Sequence, residues 1–249
     1  MRLRRPAIRE RPSPNTGPRP PGATIDLLIL HYTGMQSGQA AIERLCDPAA
    51  QVSAHYVIDE DGTIHRLVDE QHKAWHAGVS FWQGAEDLNR VSIGVELVNP
   101  GHEWGYRAFP APQLAACLAL TRDIVARHAI PPSRVVGHSD VAPTRKEDPG
   151  ELFDWALLAR HGVGLWPPDH DEPAEDAPPL ALGAAGPAVA AMQAALQGYG
   201  YACPTGGRFD AATAPVVIAF QRHFRPAVVD GRFDAACRRR LAWLLAQLA

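Results

Sequence analysis

Ser92-Ile93-Gly94-Val95-Glu96-Leu97-Val98 alternates as a strand does. Residues two apart share a face, so Ile93, Val95 and Leu97 lie on one side and Gly94 and Glu96 on the other. A lone carboxylate therefore sits mid-strand, where burial is costly unless the group has a use. Upstream, Leu27-Leu28-Ile29-Leu30-His31 is an apolar run ending in a polar residue. That pattern suits a buried central strand whose last residue emerges at the end of a sheet.

Working outward, His55-Tyr56-Val57-Ile58 and Ile64-His65-Arg66-Leu67-Val68 flank Asp59-Glu60-Asp61-Gly62. Asp-Gly is a strong turn signal, so the segment reads as a hairpin. Ala40, Ala41, Ile42 and Leu45 recur at helical spacing over 39–46, and Asp47-Pro48 closes that helix. A second amphipathic helix over 113–128 carries Leu114, Cys117, Leu118, Leu120, Ile124 and Val125, and Pro131-Pro132 stops it. The short strand Arg134-Val135-Val136-Gly137 then delivers His138 to a loop.

The first 23 residues are rich in Pro, Arg and Gly and read as an extended arm, with regular structure beginning near Ile25. Residues 169–179 are acidic and Pro/Ala-rich, a linker composition. Two units follow, 24–168 and 180–249. The second is a small all-helical repeat domain, because Gly207-Arg208-Phe209-Asp210-Ala211-Ala212 recurs as Gly231-Arg232-Phe233-Asp234-Ala235-Ala236 ahead of a second helix.

Composition narrows the partners. The 249 residues carry 24 basic and 27 acidic side chains, a net charge of −3 that leaves no excess to hold a nucleic-acid backbone. No apolar stretch is long enough to span a membrane. Met1-Arg2-Leu3-Arg4-Arg5 has the charge of an export signal, but prolines and Glu10 stand where its apolar segment belongs. This predicts a cytoplasmic protein, with export by a non-standard route as the alternative. Cys46, Cys117, Cys203 and Cys237 are scattered and read as buried thiols.

Polar residues that interrupt apolar strands, or lie in the loops after them, form one set: His31, Glu96, His138, Lys146 and Asp148. Two imidazoles and a carboxylate suit zinc with one position left open, the arrangement of a catalytic rather than a structural site. Such a site makes amide hydrolysis accessible at neutral pH. Glu96 would then serve as proton shuttle, and Lys146 would present a cation to the developing oxyanion. No periodicity links residue 31 to residue 138.

Resemblance supplies that link. His31-Tyr32-Thr33, Ser53-Ala54-His55-Tyr56, Ala74-Trp75-His76-Ala77-Gly78, Ser92-Ile93-Gly94-Val95-Glu96-Leu97 and the segment from Gly137-His138-Ser139-Asp140 to Lys146-Glu147-Asp148-Pro149-Gly150 resemble the zinc-dependent N-acetylmuramoyl-L-alanine amidases in order and spacing. Within them the likeness is to AmiD-type members, because Phe220-Gln221-Arg222-His223-Phe224-Arg225-Pro226 resembles their C-terminal peptidoglycan-binding repeat. The resemblance implies an α/β fold with a mixed sheet flanked by helices. It places zinc ligands at His31, His138 and Asp148, the catalytic glutamate at Glu96 and the transition-state lysine at Lys146. The implied reaction cleaves the amide between N-acetylmuramic acid, including its 1,6-anhydro form, and L-alanine of the stem peptide, in cell-wall recycling or turnover. The implied partner is thus a muropeptide or peptidoglycan.

His55 and His76 fall in the family's groove motifs, where they orient zinc ligands, contact the muropeptide or give structural support. Trp75, Phe81 and Trp82 are stacking or core residues, and Arg145 matches a stem-peptide carboxylate through its guanidinium fork. The remaining histidines, His223 among them, read as surface or packing residues. A peptidoglycan-recognition module that binds without cutting is the competing reading, and the five filled active-site positions oppose it.

Overall fold

The computed structural model describes residues 8–168 and 178–248; the linker expected at 169–179 lies, but for its last two residues, outside the described residues. Ten strands, β1 (Ile8–Glu10), β2 (Thr16–Pro18), β3 (Leu27–Tyr32), β4 (Tyr56–Ile58), β5 (Ile64–Arg66), β6 (His72–Ala74), β7 (Phe81–Trp82), β8 (Ala85–Glu86), β9 (Ser92–Leu97) and β10 (Val135–Gly137), alternate with helices α1 (Gly38–Cys46), α2 (Gly101–Trp104), α3 (Ala111–His128), α4 (His138–Val141) and α5 (Trp155–Arg160). Three more helices, α6 (Pro187–Tyr199), α7 (Ala214–Phe224) and α8 (Ala235–Ala246), form the C-terminal module. No helix among the described residues is long and apolar enough to cross a membrane.

The main sheet runs β1-β5-β4-β9-β3-β10. Its one antiparallel pair is the β4–β5 hairpin; β3, β9 and β10 run parallel at one side. It is a mixed sheet flanked by helices, as the family resemblance implied. Two local readings are corrected. Regular structure begins well before Ile25: β1 of the arm pairs with β5 at the sheet edge, and β2 pairs with β6. Backbone pairing needs no hydrophobic pattern, so a Pro-rich segment gave no signal of it. His138 does not lie in a loop but opens α4, where Asp140 Oδ2 accepts the Gly137 N–H at 2.7 Å.

The alternation in β9 sorts as its sequence requires. Ile93, Val95 and Leu97 join Leu28 and Leu30 in a core under α3 and α5, with Cys117, Ile124, Phe153 and Leu158. The other sheet face carries Leu27, Ile29 and Val136, which pack into one core with Leu196, Val217, Phe220 and Leu241 of the C-terminal helices. The helical module is therefore continuous with the sheet. Its two Gly-Arg-Phe-Asp turns are held alike: Gln193 accepts the Gly207 N–H and donates to Arg208 O, and Gln221 accepts the Gly231 N–H and donates to Arg232 O.

A polar network ties the hairpin to α3. Glu70 accepts hydrogen bonds from Tyr56 (2.7 Å), both terminal nitrogens of Arg127 and His128 Nε2 (2.7 Å). Burial alone would raise its pKa, but these donors outweigh burial and hold the carboxyl at about 2. A depressed folded-state pKa stabilises the protein above the unfolded value and is lost as pH falls toward the folded one. Glu70 should thus contribute stability that disappears between about pH 4.5 and about pH 2. Urea unfolding compared across that range should show a steeper acid loss in the parent than in Glu70→Gln, by roughly 1–2 kcal/mol after allowing for screening at the half-exposed Arg127. Equal slopes would exclude this contribution.

Candidate active site

Ligand sites in open α/β sheets form beyond the carboxyl ends of parallel strands, and β3, β9 and β10 bring three such ends together. In the β3–β9 register His31 lies opposite Glu96, and Leu30 lies opposite Gly137 of β10, so His138 follows beside His31. The segment after α4 returns across these ends and supplies Arg145, Lys146 and Asp148. All but Arg145 are at most partly exposed, and His31, His138 and Asp148 are buried.

The three buried donors form a near-equilateral triangle. His31 Nδ1 lies 2.9 Å from His138 Nδ1, and each is 3.0 Å from Asp148 Oδ2. Tetrahedral zinc with bonds of ~2.0–2.1 Å sets its ligand atoms about 3.3 Å apart, so a small shift accommodates the ion. Hydrogen bonding also leaves the right lone pairs. Ser92 Oγ donates to Leu88 O (2.7 Å), so it accepts from His76 Nε2–H (3.1 Å). His76 Nδ1 then accepts from His31 Nε2–H (3.0 Å), which frees His31 Nδ1 to bind. His138 Nε2–H donates to Ala77 O (3.1 Å) and frees its own Nδ1. Both rings are oriented through their outer nitrogens, as ligating histidines are. The donor set fits a divalent metal.

Burial, with His138 adding to it, lowers the His31 pKa to about 4 despite the opposing Asp148, so the ring stays neutral. Burial works against Asp148, but the two imidazoles prevail and hold its carboxyl well below the usual range. Burial, then the Asp148 charge, pushes Glu96 well above the ordinary carboxyl value, and Lys146 only partly offsets them. Glu96 Oε2 is buried without a hydrogen-bond partner among the described residues.

Glu96, His138 and Asp148 line a cleft of about 920 Å³, walled by α1 residues such as Arg44, by Met35, Trp75 and Trp104, and by Arg145 and Lys146. The expected groove residues divide. Trp75 lines the cleft. Arg145 lines it too, but Nη2 donates to Ala77 O and Val79 O and so anchors the 77–79 turn. His76 borders the cleft with both nitrogens engaged, which makes it an orienting group for His31. For His55 the substrate-contact reading is corrected and the structural-support alternative holds: it is fully buried, accepts the Gly94 N–H at Nδ1 and faces His72 O through Nε2, and it is not among the residues lining the cleft. Trp82 is buried against Tyr199 and Tyr201 and is a core residue.

Sequence reasoning missed three contributors. Gly94 leaves the space that the His76 ring fills. Arg19 of the arm donates to Glu70 O, Asn89 O, Arg90 O and Ser92 O beneath the site. His223, read as a bystander, is buried on Asp140. Gly94 alone had a signal, as a residue without a side chain on the Glu96 face of the strand.

Comparison with known proteins accords with this geometry. The N-acetylmuramoyl-L-alanine amidase family matches residues 21–151, and a peptidoglycan binding domain family matches 185–241. The N-acetylmuramoyl-L-alanine amidase AmiD of Escherichia coli is 38% identical over 229 residues, covering 85% of this chain and 79% of that protein. The 1,6-anhydro-N-acetylmuramyl-L-alanine amidase AmpD of the same organism is 36% identical over 58% of this chain and 86% of its own. The solved complex of E. coli AmiD with anhydro-N-acetylmuramic acid-L-Ala-D-gamma-Glu-L-Lys superimposes with a TM-score of 0.76 at 33% identity, covering 92% of each chain.

Proposed function

This chain belongs to the N-acetylmuramoyl-L-alanine amidase family, and from that premise and the site geometry we infer that it hydrolyses the amide between the lactyl group of N-acetylmuramic acid, in its 1,6-anhydro form included, and L-alanine of the stem peptide. The observation that carries the assignment is the triangle of His31 Nδ1, His138 Nδ1 and Asp148 Oδ2, 2.9–3.0 Å on edge, beside Glu96, whose Oε2 has no hydrogen-bond partner among the described residues. We assign residues 24–168 to the amidase unit and 180–249 to the helical unit.

His31, His138 and Asp148 would hold zinc, which supplies Lewis acidity that acidifies water and polarises a carbonyl. Glu96 takes the proton of the attacking water and returns it to the departing alanine nitrogen. Its raised pKa suits it to both transfers. Lys146, on the cleft wall, donates to the oxygen that becomes negative as the carbonyl turns tetrahedral. His76 and Ser92 keep His31 in the binding tautomer. Trp75 offers a flat apolar face to the substrate, and the cleft is large enough to enclose a sugar with several peptide residues.

Purified, zinc-loaded protein incubated with anhydro-muropeptide should release free stem peptide, seen by mass spectrometry, and a chelator should abolish the release. Intact substrate after incubation would leave a binding module only, and sugar still joined to L-alanine would mark a stem peptidase. Turnover should be faster on soluble anhydro-muropeptide than on intact sacculi if the cytoplasmic, recycling role holds, and slower if the protein acts on the wall.

A further inference from the structure

The C-terminal module reaches the segment that carries the site at two successive residues of α7. Asp140, two positions after His138, is fully buried and accepts three hydrogen bonds. One comes from the Gly137 N–H (2.7 Å); the others come from the module, from the Tyr201 hydroxyl (2.6 Å) and His223 Nδ1 (2.7 Å). The His223 ring is stacked between Trp155 and Phe224, 3.8 Å from each. Its neighbour Arg222 donates to Glu147 (2.6 Å), the residue between Lys146 and Asp148, and lies 3.7 Å from Glu151. Beneath these contacts Leu27, Ile29, Val136 and Val141 share one core with α6, α7 and α8.

We infer that the helical module is a positioning element of the active site, in which Tyr201 and His223, through Asp140, set the backbone that aims His138 and Arg222 steadies the strand of chain carrying Lys146 and Asp148. This rests on the reading of His138 and Asp148 as metal ligands. The physical case lies in the burial. A carboxylate out of water tolerates no loss of a donor, so a missing bond forces Asp140 and the attached Gly137 to shift. Metal sites respond to displacements of about 0.5 Å, and the removal of supporting hydrogen bonds typically costs 10–100-fold in metal affinity or activity. The Arg222–Glu147 pair is half-exposed at the glutamate and contributes less. A module that served only to hold glycan would need none of these bonds.

The test uses the full chain. Tyr201→Phe deletes one oxygen, His223→Leu deletes the ring donor, and His223→Asn keeps an N–H near the position of Nδ1. Zinc affinity is read by competition with a chromophoric chelator, kcat and KM on soluble anhydro-muropeptide, and retention by pelleting with sacculi. We expect Tyr201→Phe and His223→Leu each to weaken zinc binding roughly ten-fold and to lower kcat at unchanged KM, with pelleting unaffected and His223→Asn recovering most of both losses. Zinc affinity and kcat within about two-fold of the parent, whether the melting temperature falls or only pelleting is lost, would overturn the inference. Should His223→Leu fail to fold, Tyr201→Phe decides alone. Because zinc affinity is measured without turnover, a chain that released no peptide would defeat the amidase reading and leave this one standing or falling on its own readout.

Discussion

Glu96→Gln should lower kcat on anhydro-muropeptide by about 10²–10⁴-fold, the usual contribution of a positioned acid–base group, while zinc content stays at the parent level. The two results separate because Glu96 lies outside the donor triangle yet borders the same cleft. Burial and the Asp148 charge raise its pKa well above the ordinary value, and Oε2 has no hydrogen-bond partner among the described residues. A group so placed costs stability in the resting protein, and glutamine removes the charge without changing the shape. The variant's melting temperature should therefore match or exceed that of the parent. Full activity at normal zinc content would remove Glu96 from the reaction.

Gly94→Ala should weaken zinc binding by roughly 10–100-fold although residue 94 touches no metal ligand. A Cβ at this position would fall 2.4 Å from His76 Cγ and 2.5 Å from His76 Nδ1. No backbone conformation special to glycine is involved; the requirement is space. The displaced ring loses the His31 Nε2–H bond at its near nitrogen and the Ser92 bond at its far one, so His31 is no longer held with Nδ1 facing the site. Overpacking of this kind also costs about 1–3 kcal/mol of stability. Chelator competition and thermal unfolding of the metal-free protein measure the two effects. A variant that binds zinc as the parent does would show that His31 needs no help from His76.

Neither the pH dependence carried by Glu70 nor the clamp of Tyr201 and His223 on Asp140 is legible in the sequence. Glu70 has no motif around it, and its four donors come from positions 56, 127 and 128, brought together only by packing of α3 on the hairpin. The clamp joins residues 61 and 83 positions apart. By contrast the strand with Glu96, the apolar run ending at His31 and the hairpin turn were readable, because each is a pattern within a few residues. For the groove histidines the missing information was direction. His55 and His76 occupy similar motifs, but one is turned onto the Gly94 N–H and the other borders the cleft, and no local pattern tells those directions apart.

By itself, then, the sequence indicated the main strands and helices, a division into two units and, through its resemblance, the five candidate residues of the chemistry. Local spacing sets secondary structure, and a reactive side chain announces itself by interrupting an apolar run. The tertiary structure decided which nitrogen of each histidine is free, which glycine is there for space, and that the second unit is built into the first. Those are properties of hydrogen-bond partners and shared cores between distant residues, which exist only once the chain has closed on itself.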